Sequence, residues 1–191
     1  GRNIFQDSHD PNGLSQEAYY FLGGILKHIK GMTLILNPLV NSYKRLMPGY
    51  EAPTHIAWSG KNRTPLIRIP ATRGEETRIE LRSPDPACNP YLALAICLAA
   101  GLDGIKNKIV PPDAMEGNMH LLTPKELEER GIESLPKNLQ EAVEEFEKDP
   151  LMKEVLGEEV CGKYSMAKKK EWEDYNATVS QWEIDSYLLR I

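Results

Sequence analysis

The chain has 191 residues, 41% of them hydrophobic and 27% charged, and carries a net charge of −5. This composition is typical of a globular protein and excludes collagen-like and disordered chains. The longest apolar run, residues 92–102, is about half of what a bilayer-spanning helix needs, so the sequence predicts no membrane segment. Basic residues exceed acidic ones only in residues 1–112, without the lysine-rich runs of nucleic-acid binders, so no nucleic acid is expected.

The cysteines indicate the redox environment. Cys88, Cys97 and Cys161 form no CxxC pair and have no histidines at zinc-ligand spacing. An odd number of such cysteines favours free thiols, and together with the lack of a signal peptide it predicts a cytoplasmic protein. The chain opens on Gly-Arg-Asn without an initiator methionine, so we expect a piece of a longer protein.

The first third of the chain predicts a loop followed by a long helix. Residues 1–13 are rich in turn formers. Residues 15–37 place apolar side chains at helical spacing, with Ser15 as the N-cap. Gly23 and Gly24 interrupt that pattern at a cost of about 1 kcal/mol each relative to alanine, which indicates a close contact with another helix.

Prolines and glycines break the helical pattern over residues 37–53, and three short β-like runs follow. These runs are residues 55–59, 66–69 and 78–82. In the third run Ile79 and Leu81 face one side, while Arg78, Glu80 and Arg82 face the other. Three strands this short need further partners to form a stable sheet.

The rest of the chain predicts helices. Residues 90–109 are apolar on nearly every side over three turns, with Asn89 as N-cap, so this helix is predicted to be buried. Thr123 opens another helix with a capping box. Further helices are predicted over residues 138–148, 150–176 and 180–189. The change in composition near residue 112 predicts a seam between two parts of one domain, residues 1–112 and 113–191.

Charged residues cluster between residues 45 and 82. They are four arginines and two glutamates: Arg45, Arg63, Arg68, Arg82, Glu51 and Glu80. Arginine binds carboxylates and phosphates with two parallel hydrogen bonds, and a strand carboxylate beside a phosphate suits Mg²⁺. A glutamate in a loop bounded by prolines suits a general base on a lid. The residues alone predict a phosphate-handling α+β enzyme, and surface ion pairing stays open as the alternative.

Three motifs in this region resemble glutamine synthetase, in particular the bacterial dodecameric type I. Residues 41–53 (NSYKRLMPGYEAP) resemble the family's flap, and residues 62–70 (NRTPLIRIP) its ATP-region motif. Residues 78–93 (RIELRSPDPACNPYLA) resemble the strand and helix that close its active site. The resemblance implies an α+β fold in which a few antiparallel strands of the catalytic half-barrel pack against many helices.

The resemblance also assigns roles to the glutamate side of the site. Arg45 and Arg82 match the arginines that bind the substrate glutamate. Glu51 matches the flap glutamate that takes a proton from bound ammonium. The implied activity is an ATP-dependent ligase that forms glutamine through γ-glutamyl phosphate.

On the nucleotide side, Arg63 matches the arginine that stabilises the phosphoryl group in transfer, and Arg68 its neighbour near ATP. Glu80 matches a ligand of the Mg²⁺ or Mn²⁺ that accompanies the nucleotide. The remaining metal ligands of the family are absent from the sequence, so the chain alone is expected to be inactive.

The resemblance implies that the full-length protein is a homododecamer of two hexameric rings, with residues 180–189 matching a tail that inserts into the facing ring. A helix in the core of a monomer stays open as the alternative for this segment. Two relatives with other functions stay as alternatives. One is a ligase that glutamylates a polyamine, and the other is a scaffold without activity. Glu51 argues against the first because such ligases usually lose it, and the intact charged residues argue against the second.

Overall fold

The computed structural model describes residues 1–47, 52–61, 64–115, 117, 122–188 and 190. Within these residues it contains one small sheet and a set of helices, which confirms the α+β class. The helices are α1 (Gln16–Leu36), α2 (Val40–Arg45), α3 (Pro90–Asn107), α4 (Pro124–Glu129), α5 (Leu139–Lys148), α6 (Pro150–Leu156), α7 (Glu158–Asn176) and α8 (Gln181–Tyr187). The strands are β1 (Trp58–Ser59), β2 (Ile67–Arg68) and β3 (Glu80–Leu81).

The sheet has the order β1-β2-β3 and mixed direction. β2 and β3 are antiparallel, with Arg68 opposite Glu80, as expected. β1 and β2 are parallel, with Trp58 opposite Ile67, which corrects the expectation of antiparallel strands throughout. A parallel pair of strands normally needs a long crossover connection. Because β1 and β2 have two residues each, the end of β1 is close to the start of β2, and a short connection is sufficient.

The predicted first helix is confirmed as α1, which forms the centre of the core. The Ser15 hydroxyl accepts a hydrogen bond from the Ala18 amide and caps its start. The helix ends at Asn37 because the following proline disfavours helical geometry in the residue before it. The expected close contact is also present, since a Cβ on Gly24 would lie 2.1 Å from the carbonyl oxygen of Ala100 in α3.

The prediction that α3 is buried is wrong for one of its faces. Ile96 and Ala100 are buried against α1. Four apolar side chains on another face are exposed, with 83%, 70%, 56% and 52% of their surfaces accessible: Tyr91, Leu94, Leu98 and Leu102. The sequence shows how apolar a helix is but not which of its faces has a partner within the chain.

The single helix predicted over residues 150–176 is two helices in the structure. Gly157 takes a φ of 84° between α6 and α7, a conformation that L residues rarely adopt. The capping box at Thr123 is confirmed. The predicted last helix is present as α8, although Leu189 lies outside the described residues. The short α2 was not predicted, because prolines surround it.

The core is continuous across residue 112. Leu139 and Phe146 of α5 and Met152 of α6 belong to the same buried cluster as Leu22 and Ile35 of α1. The two parts thus share one core, and the seam between residues 1–112 and 113–191 stays a prediction. None of the described helices combines the length and the apolar character needed to cross a membrane.

Candidate functional site

The candidate site lies on the charged face of β2 and β3. Because Arg68 and Glu80 are directly paired across the two strands, their side chains project from the same face. The Arg68 Nη1 lies 3.3 Å from Glu80 Oε2, and the Arg78 Nη2 lies 2.9 Å from Glu80 Oε1. On the other face Ile67, Ile79 and Leu81 pack against the core. The predicted alternation of this strand is confirmed.

A third arginine, Arg45, reaches the end of β3. Arg45 is the last residue of α2, and its Nη2 donates hydrogen bonds to the main-chain carbonyl of Ser83 and to Asn37 Oδ1, the latter at 3.4 Å. Ser83 directly follows Arg82, whose Nη1 donates to the Pro65 carbonyl at 3.3 Å. The fold therefore connects Arg45 to the segment that carries Arg82.

Packing of α2 fixes the position of Arg45. Tyr43 is buried against the core, and this burial raises the pKa of its phenol. The Ser42 hydroxyl accepts a hydrogen bond from the Leu39 amide and closes the first turn. A helix of six residues is unstable alone in water, so α2 depends on these contacts to hold Arg45 at the strand end.

Four of the six predicted site residues are thus described and linked through β2, β3 and the residues after β3: Arg45, Arg68, Glu80 and Arg82. Glu51 and Arg63 lie outside the described residues, and their roles stay predictions.

Sequence reasoning missed two residues that contact the site. Arg78, two residues before β3, donates a hydrogen bond to Glu80, and the alternation of residues 78–82 was the signal that could have identified it. Asn37 contacts Arg45 although it is 8 residues away. In the sequence Asn37 resembles an ordinary turn residue before a proline, so nothing indicated its contact with Arg45.

The ion pairs at Glu80 are half-exposed, with 35% of the Arg68 side chain and 31% of the Glu80 side chain accessible. Pairs with this exposure contribute about 0–1 kcal/mol each. They cost little to break, so an anionic ligand could replace Glu80 as the partner of either arginine.

The described residues do not make a metal site by themselves. Among them no three His, Cys, Asp or Glu side chains converge as metal ligands, and both oxygens of Glu80 are engaged by arginines. Mg²⁺ is often held by one or two carboxylates together with phosphate oxygens. Glu80 can supply one such carboxylate oxygen, and the other ligands would have to come from elsewhere.

An apolar cavity of about 420 Å³ is also lined by residues of α2, together with Trp172 and Tyr175 of α7. None of the charged residues on β2 and β3 lines it, so it is separate from the candidate site.

Comparison with known proteins identifies the family. Residues 1–187 match the family model of the glutamine synthetase catalytic domain. The chain belongs to the glutamine synthetase family. It is 57% identical over 188 residues to a glutamine synthetase of Methanosarcina mazei and 56% identical over 188 residues to one of Clostridium saccharobutylicum. Each alignment covers 98% of the chain and 42% of the relative.

Solved structures agree with this assignment. The chain is 40% identical to the GmaS/ADP complex with a TM-score of 0.85, and 39% identical to GmaS without ligand with a TM-score of 0.81. Both alignments cover 98% of the chain, and 43% and 42% of those two structures respectively. The chain thus spans less than half the length of the family members it matches.

Proposed function

We propose that the chain is part of a glutamine synthetase that joins glutamate and ammonium at the expense of ATP. The observation that carries the proposal is the connected set of charged side chains along β2 and β3, which continues through Ser83 to Arg45. Membership in the glutamine synthetase family supports the same reaction.

The glutamate substrate would bind at Arg45 and Arg82. Guanidinium groups form charge-assisted hydrogen bonds to carboxylates. Arg45 is half-exposed and comes to the end of β3 beside Arg82. In this arrangement the substrate's carboxylates lie at the strand end, next to the residues that would handle phosphate.

The nucleotide phosphates would bind on the face of Arg68 and Glu80, with Arg63 stabilising the phosphoryl group in transfer. A Mg²⁺ or Mn²⁺ ion bound in part by Glu80 would supply positive charge to the phosphates. The GmaS chain has a similar fold and was solved in complex with ADP, which supports the proposal that this fold binds a nucleotide. Arginines aimed at phosphoryl oxygens stabilise the charge that develops during transfer.

The reaction takes two steps. An oxygen of the glutamate γ-carboxylate attacks the γ-phosphorus of ATP, which releases ADP and leaves γ-glutamyl phosphate. Ammonia then attacks the γ-carbon, and phosphate leaves with the carboxylate oxygen. Glu51 would take the proton from ammonium, and the flap that carries it would keep water from the acyl phosphate.

The longer protein would be a cytoplasmic homododecamer. All three cysteines are free thiols. The exposed apolar side chains Trp182, Ile184 and Leu188 of the C-terminal segment suit burial against another subunit.

The test compares amine acceptors. A full-length protein containing this chain is supplied with ATP, Mg²⁺ and glutamate, and ADP release is measured with ammonium or putrescine. Ammonium should drive the release. Glu51→Ala should lower the rate by roughly 10²–10⁴-fold, the usual contribution of a general base, whereas Glu129→Ala on exposed α4 should not change it. Release with putrescine alone would instead support the polyamine ligase.

A further inference from the structure

Among the residues that the structure describes, one hydrogen bond explains the buried side chain of Asn37. Asn37 is fully buried at the end of α1, and its Nδ2 has no hydrogen-bond partner among the described residues. Leaving a buried donor unpaired is unfavourable. Within the described part of the chain, its side chain makes one hydrogen bond, through Oδ1 to Arg45 Nη2.

Helix capping does not explain this asparagine. The main-chain amide of Asn37 donates to the Thr33 carbonyl, and that bond closes the last turn whatever the side chain is. Its φ of −135° is accessible to any L residue, so the left-handed conformation that favours asparagine is not required. The amide group of the side chain is therefore not needed for the local fold.

The surroundings hold Asn37 and the strand end together. The Asp85 amide donates to the Leu36 carbonyl at 2.8 Å, which ties the segment after β3 to the last turn of α1. Asn37 and Ser83 lie beside this bond on the two segments it joins. Their oxygens both accept from Arg45 Nη2.

This arrangement decides which part of Arg45 is available. Nη2 is occupied by two acceptors, and Nε is buried without a partner among the described residues. Nη1 has no partner in the described part of the chain. A carboxylate that approaches Arg45 therefore meets Nη1 in a fixed orientation.

We propose that Asn37 is a positioning residue, which together with the Ser83 carbonyl orients the guanidinium of Arg45 so that Nη1 faces the carboxylate of the substrate. This inference rests on the proposed function, which assigns the glutamate carboxylate to Arg45. Neither contact touches the nucleotide side of the site, so the effect is specific to glutamate.

The experiment measures KM for glutamate, KM for ATP and kcat in the full-length protein. Asn37→Leu keeps the branched shape, in a larger side chain, but removes the acceptor, and it should raise KM for glutamate about tenfold, the effect of one charge-assisted hydrogen bond. KM for ATP should stay within about twofold of the parent. Asn37→Asp retains an oxygen acceptor, so its KM for glutamate should be close to that of the parent.

Two reference variants separate the possible outcomes. Thr33→Val removes a buried hydrogen bond to the Ile29 carbonyl in the same last turns of α1, without a contact to Arg45, and should leave KM for glutamate unchanged. Arg45→Gln should raise it more than Asn37→Leu does. If Arg45→Gln has no effect, the role given to Arg45 is wrong.

If Arg45→Gln weakens glutamate binding but Asn37→Leu does not, only the positioning role is wrong. An equal rise in Thr33→Val and Asn37→Leu also contradicts it, because the effect is then general to the helix end. Should Asn37→Leu fail to fold, Asn37→Ser takes its place, since its hydroxyl is too short to reach Arg45, and the same rise is expected.

Discussion

Glu80 and its two arginines form an ion-pair network that a ligand can rearrange. Arg68 approaches one carboxylate oxygen from the neighbouring strand β2, and Arg78 approaches the other from two residues before β3. Because the side chains are half-exposed, water screens these attractions. Because such exposed pairs cost little to break, the proposed nucleotide phosphates would be able to replace Glu80 as the partner of Arg68.

Arg68→Gln tests whether this strand face binds the nucleotide. In the full-length protein we expect a loss of about 10²–10³-fold in kcat/KM for ATP, the size typical of removing one donor to a developing charge. Steady-state kinetics with saturating glutamate and ammonium measure it.

The matched control is Lys163→Gln, which breaks an exposed ion pair with Glu159 on α7 and should leave kcat/KM for ATP unchanged. An Arg68→Gln enzyme with parental ATP kinetics would contradict the assignment.

The sequence predicted the charged strand face correctly because side-chain direction alternates along any strand. It could not pair Arg68 with Glu80, since that needs the register between β2 and β3. It also could not predict the contact of Asn37 with Arg45, which depends on how the end of α1 meets the segment after β3. The positions of Glu51 and Arg63 stay predictions from the resemblance.

A buried histidine, His28, contacts carboxylates of two other helical segments. His28 of α1 lies 2.9 Å through Nε2 from Asp103 of α3 and 2.8 Å through Nδ1 from Asp149, the N-cap of α6. Lys27 also reaches Asp103, at 3.1 Å. With a carboxylate at each ring nitrogen, the imidazolium form can donate two hydrogen bonds.

The charges around His28 set its titration. Burial lowers the pKa of His28, but the hydrogen bonds to Asp149 and Asp103 outweigh it, and the net pKa is raised. The hydrogen bond from His28, with a smaller contribution from Lys27, lowers the pKa of Asp103 against the effect of burial.

His28→Gln should therefore destabilise the protein in a pH-dependent manner. Because the folded-state pKa of His28 is raised, its protonated form stabilises the fold. This stabilisation is fully present below the unfolded pKa of about 6.5 and is lost as pH rises through the folded-state pKa. We expect a loss of roughly 2–3 kcal/mol near pH 6, as for hydrogen bonds to charged groups, and a smaller loss in alkaline solution. Thermal unfolding over a pH series measures the difference.

His9→Gln is the control, because His9 makes a similar contact with Asp7 at an exposed position. The difference in thermal stability between the His9→Gln variant and the parent should stay constant over the same pH series. A difference for His28→Gln that stays constant with pH would show that the ring acts by packing alone.

The helices show where sequence patterns are sufficient and where they fail. Caps at Ser15, Asn89 and Thr123 were predicted from residue type because capping is a local interaction. The break at Gly157 was missed, since a helical glycine and a left-handed one look the same in sequence. The exposed face of α3 was missed because burial depends on which partners are present.

The exposed apolar face of α3 is large enough to need a partner. Monomeric proteins rarely expose a contiguous row of large apolar side chains such as Tyr91, Leu94, Leu98 and Leu102. The chain spans 42% of the length of the relatives it matches. We expect the remainder of a longer protein of this family to cover the face.

Binding of 8-anilino-1-naphthalenesulfonate tests this expectation. The chain alone should bind the dye, and the double substitution Leu94→Ser with Leu98→Ser should reduce the fluorescence severalfold by removing apolar contact area. The full-length protein should show less fluorescence per chain.

The control is Val160→Ser with Met166→Ser, which removes two exposed apolar side chains of α7 and should have a small effect. Equal dye binding by the chain and the full-length protein would mean that the face stays exposed.

Transfer of ¹⁸O tests whether the reaction passes through γ-glutamyl phosphate. The full-length protein is given ATP, ammonium and glutamate labelled with ¹⁸O in the γ-carboxylate, and the released phosphate is analysed by mass spectrometry. Each released phosphate should contain one ¹⁸O, because the carboxylate oxygen leaves with the phosphoryl group of γ-glutamyl phosphate. Phosphate without the label would contradict this mechanism, since the phosphoryl group of ATP would then have reached water without being transferred to the glutamate carboxylate.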